Sequence, residues 1–334
     1  MNFREQRTVR GRRRPSAGIT PAAVLVTCLL AVTSAAWGGN VLVVLSTDAQ
    51  PYREAFTSLH EHLTSQEQHV SFVLLTDLLE DEDKYLNDQT DACVGVGTQA
   101  AVWLHRNAAP DVTVAYCMVA SPEDVGLTKG RPAHGVTTQI PLTEQIQFIS
   151  RVLPRARTIG MIYNADSEKS RLLYERVAKA VPETWRLRAV SKDEEKTVAE
   201  TIEELFSSDV DVVWTAPDSS IYDIPTVRTL LLAAMRHKTP VFGFSPQFVR
   251  AGALFGVGVS PADQGSQAAA ILMRELKRGG ADSTSTQASI SPEPPKFVTA
   301  VNLIVAEKLG MELPRRIVRE AQYVWPEPKD GETD

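Results

Sequence analysis

The chain predicts an α/β fold of two lobes, each built on a parallel sheet. Three observations carry that reading. Short, continuously apolar runs such as 41–46 (VLVVLS) show no polar alternation, as expected of strands covered on both faces. Such runs alternate with helical segments along most of the chain. Residues 135–170 form a self-contained crossing unit: a strand, a proline turn, an amphipathic helix, a second strand, and a polar turn that opens a new helix.

Taken in order, the strand 41–46 leads through a loop, Thr47 to Pro51, into a helix over 52–63. That helix places Phe56, Leu59 and Leu63 on one side. A strand over 70–75 and a short acidic helix over 77–86 follow. Then come a strand over 92–95, a helix over 100–106 and a strand over 113–118. In the crossing unit a strand over 135–138 meets Pro141. The helix 142–152 spaces Ile146, Ile149 and Leu153 for one buried face, and Pro154 stops it. A strand over 158–163 runs into Asn164-Ala165-Asp166-Ser167, a polar turn that caps a helix over 167–180. The rhythm then repeats. Strand 186–190 precedes helix 194–206, and strand 210–214 precedes helix 225–237, which has Pro225 in its first turn. Strands 240–244 and 253–259 lead to a helix over 261–278, expected to return to the first lobe. Residues 279–295, rich in Gly, Ser, Thr and Pro, read as a surface loop.

The N-terminus differs in character. Residues 1–14 hold six arginines against one glutamate, an apolar run covers 22–32, and small residues occupy 33–36. Basic, apolar, then small is the order of a signal peptide, so 1–38 is expected to be removed after Ala36 or Gly38. The alternative is an uncleaved anchor, for which the apolar run is short. Of the formal net charge of −6, residues 1–38 contribute +5, so the remainder carries −11. That balance argues against a nucleic-acid partner, which requires a basic patch. Cys93 and Cys117 lie in consecutive predicted strands, where neighbouring parallel strands give poor disulfide geometry. Two buried thiols are the expectation. No CxxC pair occurs, the six histidines are scattered, and no metal or cofactor is expected.

Residues 95–100 fit G-x-G-x-x-A between a strand and a helix, which opens the reading of a nucleotide-dependent enzyme. Against it, this is the third strand–helix unit and no acidic residue ends the strand 113–118. Glycines also let a chain turn tightly, and the free N–H groups of a helix start accept a carboxylate as well as a phosphate. No G-x-S-x-G elbow and no H-E-x-x-H appears, so no catalytic residues are expected.

The crossing unit also carries a resemblance. Gly135, Val136, Pro141 and Gln145, then Leu153-Pro154, Thr158-Ile159-Gly160, Tyr163-Asn164, Glu168 and Ser170 resemble the start of the second lobe in ABC-transporter substrate-binding proteins of the tryptophan or aromatic amino-acid type. Gly97, Thr98, Ala100 and Ala101 match a G-T-x-A-A element of that family. Residues 239–259 are similar to its IPVFG…GALAxxGV segment, and 297–309 to its closing strand and helix through Asn302, Ala306 and Leu309. The likeness covers about 40–315. It departs at Ser121, where the family has Asp, and at 48–51.

The resemblance implies two Rossmann-like lobes with parallel sheets joined by a three-strand hinge, the periplasmic binding protein type I fold. The lobes would comprise 39–136 plus 260–280 and 137–259 plus 296–325, with a disordered tail at 326–334. It implies a monomer in the periplasm that hands a small-molecule ligand to an ABC permease in the inner membrane. A ligand-sensing module for a signalling partner is the alternative on the same fold. For a zwitterionic amino acid, Thr98 and Gln99 are placed to hold the carboxylate and Asp218 the ammonium. Asn164 and Ser167 would complete the polar set, together with Ser121 and Thr138 on the loops that face the lobe boundary. Tyr52, Tyr222 or Phe244 would supply an aromatic wall.

Overall fold

The computed structural model describes residues 38–279 and 291–327, which belong to one compact unit, Trp37–Asp334. The expected signal segment lies outside the described residues except for Gly38, as do 280–290 of the expected surface loop and the tail from 328.

A first sheet is built from β1 (Asn40–Leu45), β2 (His69–Leu74), β3 (Ala92–Val96), β4 (Thr113–Val119) and β5 (Ala133–Thr137). Its order is β2-β1-β3-β4-β5, all parallel. Between the strands run α1 (Gln50–Ser65), the short α2 (Leu75–Glu80) and α3 (Glu82–Tyr85), and α4 (Thr98–Asn107). The single acidic helix expected over 77–86 is broken at Asp81, whose backbone leaves the helical region at φ −153° and ψ 80°. Side chains alternate across the sheet as period two requires. Val41, Val43 and Leu45 face α1, while Leu42 and Val44 face α4.

The two thiols obey the same alternation. Cys117 packs on the α1 face and Cys93 on the opposite one. Val96, not Cys93, stands opposite Cys117 in the ladder. Both are free, and burial pushes each thiol up to about 12.

The crossing unit follows: α5 (Leu142–Val152), β6 (Thr158–Asn164) and α6 (Glu168–Ala180). The chain then forms β7 (Arg186–Lys192), α7 (Val198–Phe206), β8 (Val212–Trp214), α8 (Ile224–His237), β9 (Val241–Gly243), α9 (Pro246–Ala251) and β10 (Phe255–Val259). Helix α7 begins four residues later than the pattern suggested. Thr197 caps it, and Glu200 reaches back to the Thr197 amide in a reciprocal capping box. Within the second sheet the run β7-β6-β8-β9-β10 repeats the order of the first. The halves are therefore wound alike, β6 taking the place of β1.

Beyond β10 comes α10 (Pro261–Gly279), then β11 (Phe297–Asn302), α11 (Leu303–Leu309), α12 (Arg315–Glu320) and β12 (Tyr323–Trp325). β11 pairs antiparallel with β10, the one antiparallel pair among the described strands, and β12 closes the edge. The sequence pattern gave no sign of α9, α12 or β12, each of six residues or fewer.

Helix α10 packs on α1 at backbone distance. A Cβ added at Gly265 would stand 1.9 Å from the Ala55 carbonyl oxygen, so only glycine admits this crossing. Next to it the Ser58 and Ser266 hydroxyls meet at 2.6 Å. Residue 293 runs beside β5: Thr137 donates its amide to the Glu293 carbonyl at 3.0 Å, and Glu293 donates to Gly135 at 2.8 Å. Arg274 on α10 holds the Glu293 carboxylate at 2.6 Å. No helix among the described residues is long and apolar enough to cross a membrane.

Gly265→Ala is expected to push α1 and α10 apart and cost about 1–3 kcal/mol, read from urea unfolding. Cys93 and Cys117 are expected to resist a thiol reagent in the native protein and to react together on unfolding. Modification of either in the folded state would contradict their sealed positions.

Candidate functional site

In the order β7-β6-β8 the chain leaves β6 toward one side of the sheet and β8 toward the other, so a crevice opens beyond their carboxyl ends. A cavity of about 400 Å³ lies there. That is within the range of about 300–1,000 Å³ typical of small-molecule sites. Its second-sheet wall is Trp214 to Asp218 after β8, Phe244 after β9, and Lys169, Leu173 and Arg176 on α6. The opposite wall is Ala120 and Ser121 after β4. The floor is the crossing segment from Thr137 to Leu142, with Pro292 and Pro294 beside it.

The crossing wall is held by a short network. Thr138 donates its amide to Val119 at 2.9 Å, and the Thr137 hydroxyl donates to the Ala120 carbonyl at 2.9 Å. Just before them the β4–β5 register shifts, and Met118 takes a left-handed backbone, φ 58°. Its displaced amide donates to Gln264 Oε1 at 3.1 Å. Gln264 Nε2 donates in turn to the Thr137 carbonyl at 3.0 Å, and the side chain is fully buried.

A second glutamine fixes the aromatic wall. Gln145 Nε2 donates to the Ile140 carbonyl at 2.9 Å, and Oε1 accepts from the Trp214 indole at 2.9 Å. Trp214 is only 4% exposed, so that acceptor matters. Phe244 packs against Phe248 and Tyr222, with ring centroids 4.9 and 6.2 Å away. The Tyr222 hydroxyl is buried with no partner, and burial, then the charge of Asp218, pushes its phenol up. Asp218 Oδ1 accepts from the Ser220 amide at 2.9 Å and from its hydroxyl at 2.7 Å. None of the described hydrogen bonds engages its second oxygen.

Of the residues singled out from sequence, Ser121, Thr138, Asp218 and Phe244 line this cavity. Asn164 and Ser167 do not. Asn164 Oδ1 accepts from the Asp166 amide at 2.9 Å, and Ser167 Oγ caps α6 through the Ser170 amide at 3.3 Å. Both are spent on starting the helix. Thr98 and Gln99 line a separate groove with Trp103 and Arg106. One of the helix-start amides there, that of Ala100, is already bonded to Ser46 Oγ at 3.0 Å.

The glycines of the 95–100 motif have packing reasons. A Cβ on Gly95 would meet Ala101 of α4 at 2.5 Å, and Gly97 has φ 91° with Ser46 and the Tyr52 ring against it. Sequence reasoning passed over Gln145 as a ligand-site residue, and it missed Trp214, Lys169 and Arg176. Trp214 was legible as the last residue of a strand, at its ligand-facing end. Lys169, Leu173 and Arg176 stand at i, i+4 and i+7, one stripe of a helix. Among the described residues no group of three or more His, Cys, Asp or Glu could hold a metal ion.

A model of the ABC transporter substrate binding protein family matches residues 73–325. A tyrosine-binding protein of Clostridioides difficile (strain R20291) is 23% identical over 203 residues, 58% of this chain and 57% of the relative. The chain thus spans a little over half the length of that relative. Among solved structures, a ligand-free, open substrate-binding protein with adhesive properties from Clostridium difficile superposes with a TM-score of 0.71 at 17% identity. The match covers 86% of this chain and 99% of that one. An ABC domain from Streptococcus pneumonia in complex with L-Trp superposes at 0.58 with 19% identity and the same coverage. At these identities the two structures show a shared fold: two α/β lobes with parallel-strand-rich sheets.

Gln145→Leu is expected to leave the Trp214 indole buried without an acceptor and to lower stability by about 1–3 kcal/mol in urea unfolding. Gln145→Glu keeps the acceptor and is expected to recover part of the loss. A change within about 0.5 kcal/mol for Gln145→Leu would show that the indole finds another partner.

Proposed function

The chain belongs to the ABC transporter substrate-binding protein family, and from that premise we propose that it captures an amino acid in the cavity beyond β6 and β8 and delivers it to an ABC importer. The observation that carries the reading is the cavity itself. It is walled by loops from both sheets and floored by the segment that joins them. Ligand closure would move 39–136 plus 260–280 against 137–259 plus 296–325 about that floor. The protein acts as a monomer and breaks no bond. It works in the periplasm after removal of 1–38, and its partner is the permease in the inner membrane.

An amino acid as ligand is supported by the tyrosine-binding relative and by the L-Trp-bound neighbour. The site chemistry agrees with it. Trp214 and Phe244 offer apolar faces to a side chain, and the unengaged oxygen of Asp218 offers a partner to an ammonium group. A ligand-sensing role feeding a signalling partner would use the same cavity, and association with a permease separates the two.

Thermal unfolding in the presence of L-tyrosine, L-tryptophan and the other amino acids tests the reading. A ligand at about 100 times its dissociation constant adds roughly 2.7 kcal/mol, visible as a raised melting temperature. Asp218→Ala is expected to fold normally and to lose that shift. Unchanged affinity in Asp218→Ala would remove this carboxylate from the site.

A further inference from the structure

Three residues lining the cavity carry charge: Lys169 and Arg176 on α6, and Asp218. Neither cation has an ion-pair partner among the described residues, whereas Asp218 already accepts two hydrogen bonds from Ser220. The acids of α6 do not serve them. Glu168 and Glu175 stand three or four residues from Arg171, and Glu175 four from Lys179, on the other flank of the helix. Lys169 and Arg176 share their own flank with Leu173, which also faces the cavity. Seven residues separate them, about 10 Å along the axis. The second-sheet wall of the cavity therefore carries two cations against one acid, beside the apolar faces of Trp214 and Phe244.

A zwitterion carries one negative group and leaves one of these cations unanswered. Both cations are exposed in this structure, and the cost of leaving one without a counter-charge arises when the cleft closes and strips away its water. We infer that the ligand is an acidic amino acid: its two carboxylates pair with Lys169 and Arg176, and its ammonium pairs with Asp218. This rests on the amino-acid reading above and narrows it to a substrate class. The guanidinium offers a two-pronged grip to one carboxylate, and the lysine ammonium offers a point charge to the other.

Isothermal titration with matched pairs tests it. 4-Carboxy-L-phenylalanine is compared with L-phenylalanine, and L-glutamate with L-glutamine. Within each pair the ligands differ chiefly by one negative charge. In at least one pair the acidic member is expected to bind about tenfold or more tighter. Lys169→Gln and Arg176→Gln are each expected to erase most of that preference, while Arg171→Gln, on the opposite flank, keeps it. Circular dichroism and the melting temperature of each variant separate lost recognition from lost folding. Neutral members binding as well as acidic ones, or a preference that survives both cavity variants, would overturn the inference and leave the amino-acid reading standing. If no amino acid of the earlier panel and none of these four binds, both fall together.

Discussion

The carboxamide of Gln264 bonds two stretches of chain that lie 146 and 127 residues away from it in sequence. It is fully buried, so its oxygen and its nitrogen must each find a partner. The oxygen takes the Met118 amide that the β4 bulge turns out of the ladder. The nitrogen takes the Thr137 carbonyl where β5 runs into the crossing segment. Thr137 is itself part of the cavity floor. The left-handed backbone at Met118, uncommon for a residue with a side chain, persists because this amide is waiting for it. Gln264 thus adds to the β4–β5 ladder and to the Thr138–Val119 and Thr137–Ala120 bonds that hold the two strands leading to Ser121 and Thr138.

The two sheets are wound in the same order, and the cavity described above lies at the switch point of the second. The equivalent places are filled differently. In the first sheet Ser46 takes the Ala100 amide and the Tyr52 ring lies against Gly97, so the start of α4 is closed by the chain's own groups. In the second sheet the loop after β6 satisfies itself through Asn164, Ser167 and Ser170, and α6 is left free to present its side chains. Thr98 and Gln99 were attractive from sequence because a glycine-rich helix start is a general anion receptor. Here the glycines answer to helix–strand packing instead.

Legibility followed the strength of the local signal. Helix 142–152 was readable to the residue because Pro141 and Pro154 bracket a clear apolar stripe. The buried strands were readable as unbroken apolar runs. Helices α9 and α12 and strand β12 escaped because they are too short to establish a period. The antiparallel return of β11 is set by the path of the chain between sheets, which no local pattern encodes. In the site, Asp218 and Phe244 were legible as residues following apolar strands. Gln145 had been noticed only as part of a motif, because its two hydrogen bonds join Ile140 to Trp214, which is 69 residues away from it in the chain. Lys169 and Arg176 read as ordinary solvated charges on a polar helix until the cavity gave that flank a meaning.

The contact between α1 and α10 also sets an order of events. Ser58 meets Ser266 across 208 positions of chain, and Ala55 and Leu59, both fully buried, belong to a core completed by Ala268 and Leu272. During synthesis the first sheet can pair its own strands early, but the face that α1 covers in part lacks α10 until all of β6 to β10 has been made. The half begun first is therefore still open when β6 to β10 are complete, and only β11 and β12 of the second sheet follow its closure by α10. A nascent chain so arranged leaves the apolar side chains that α10 will cover facing solvent while the second half is being made.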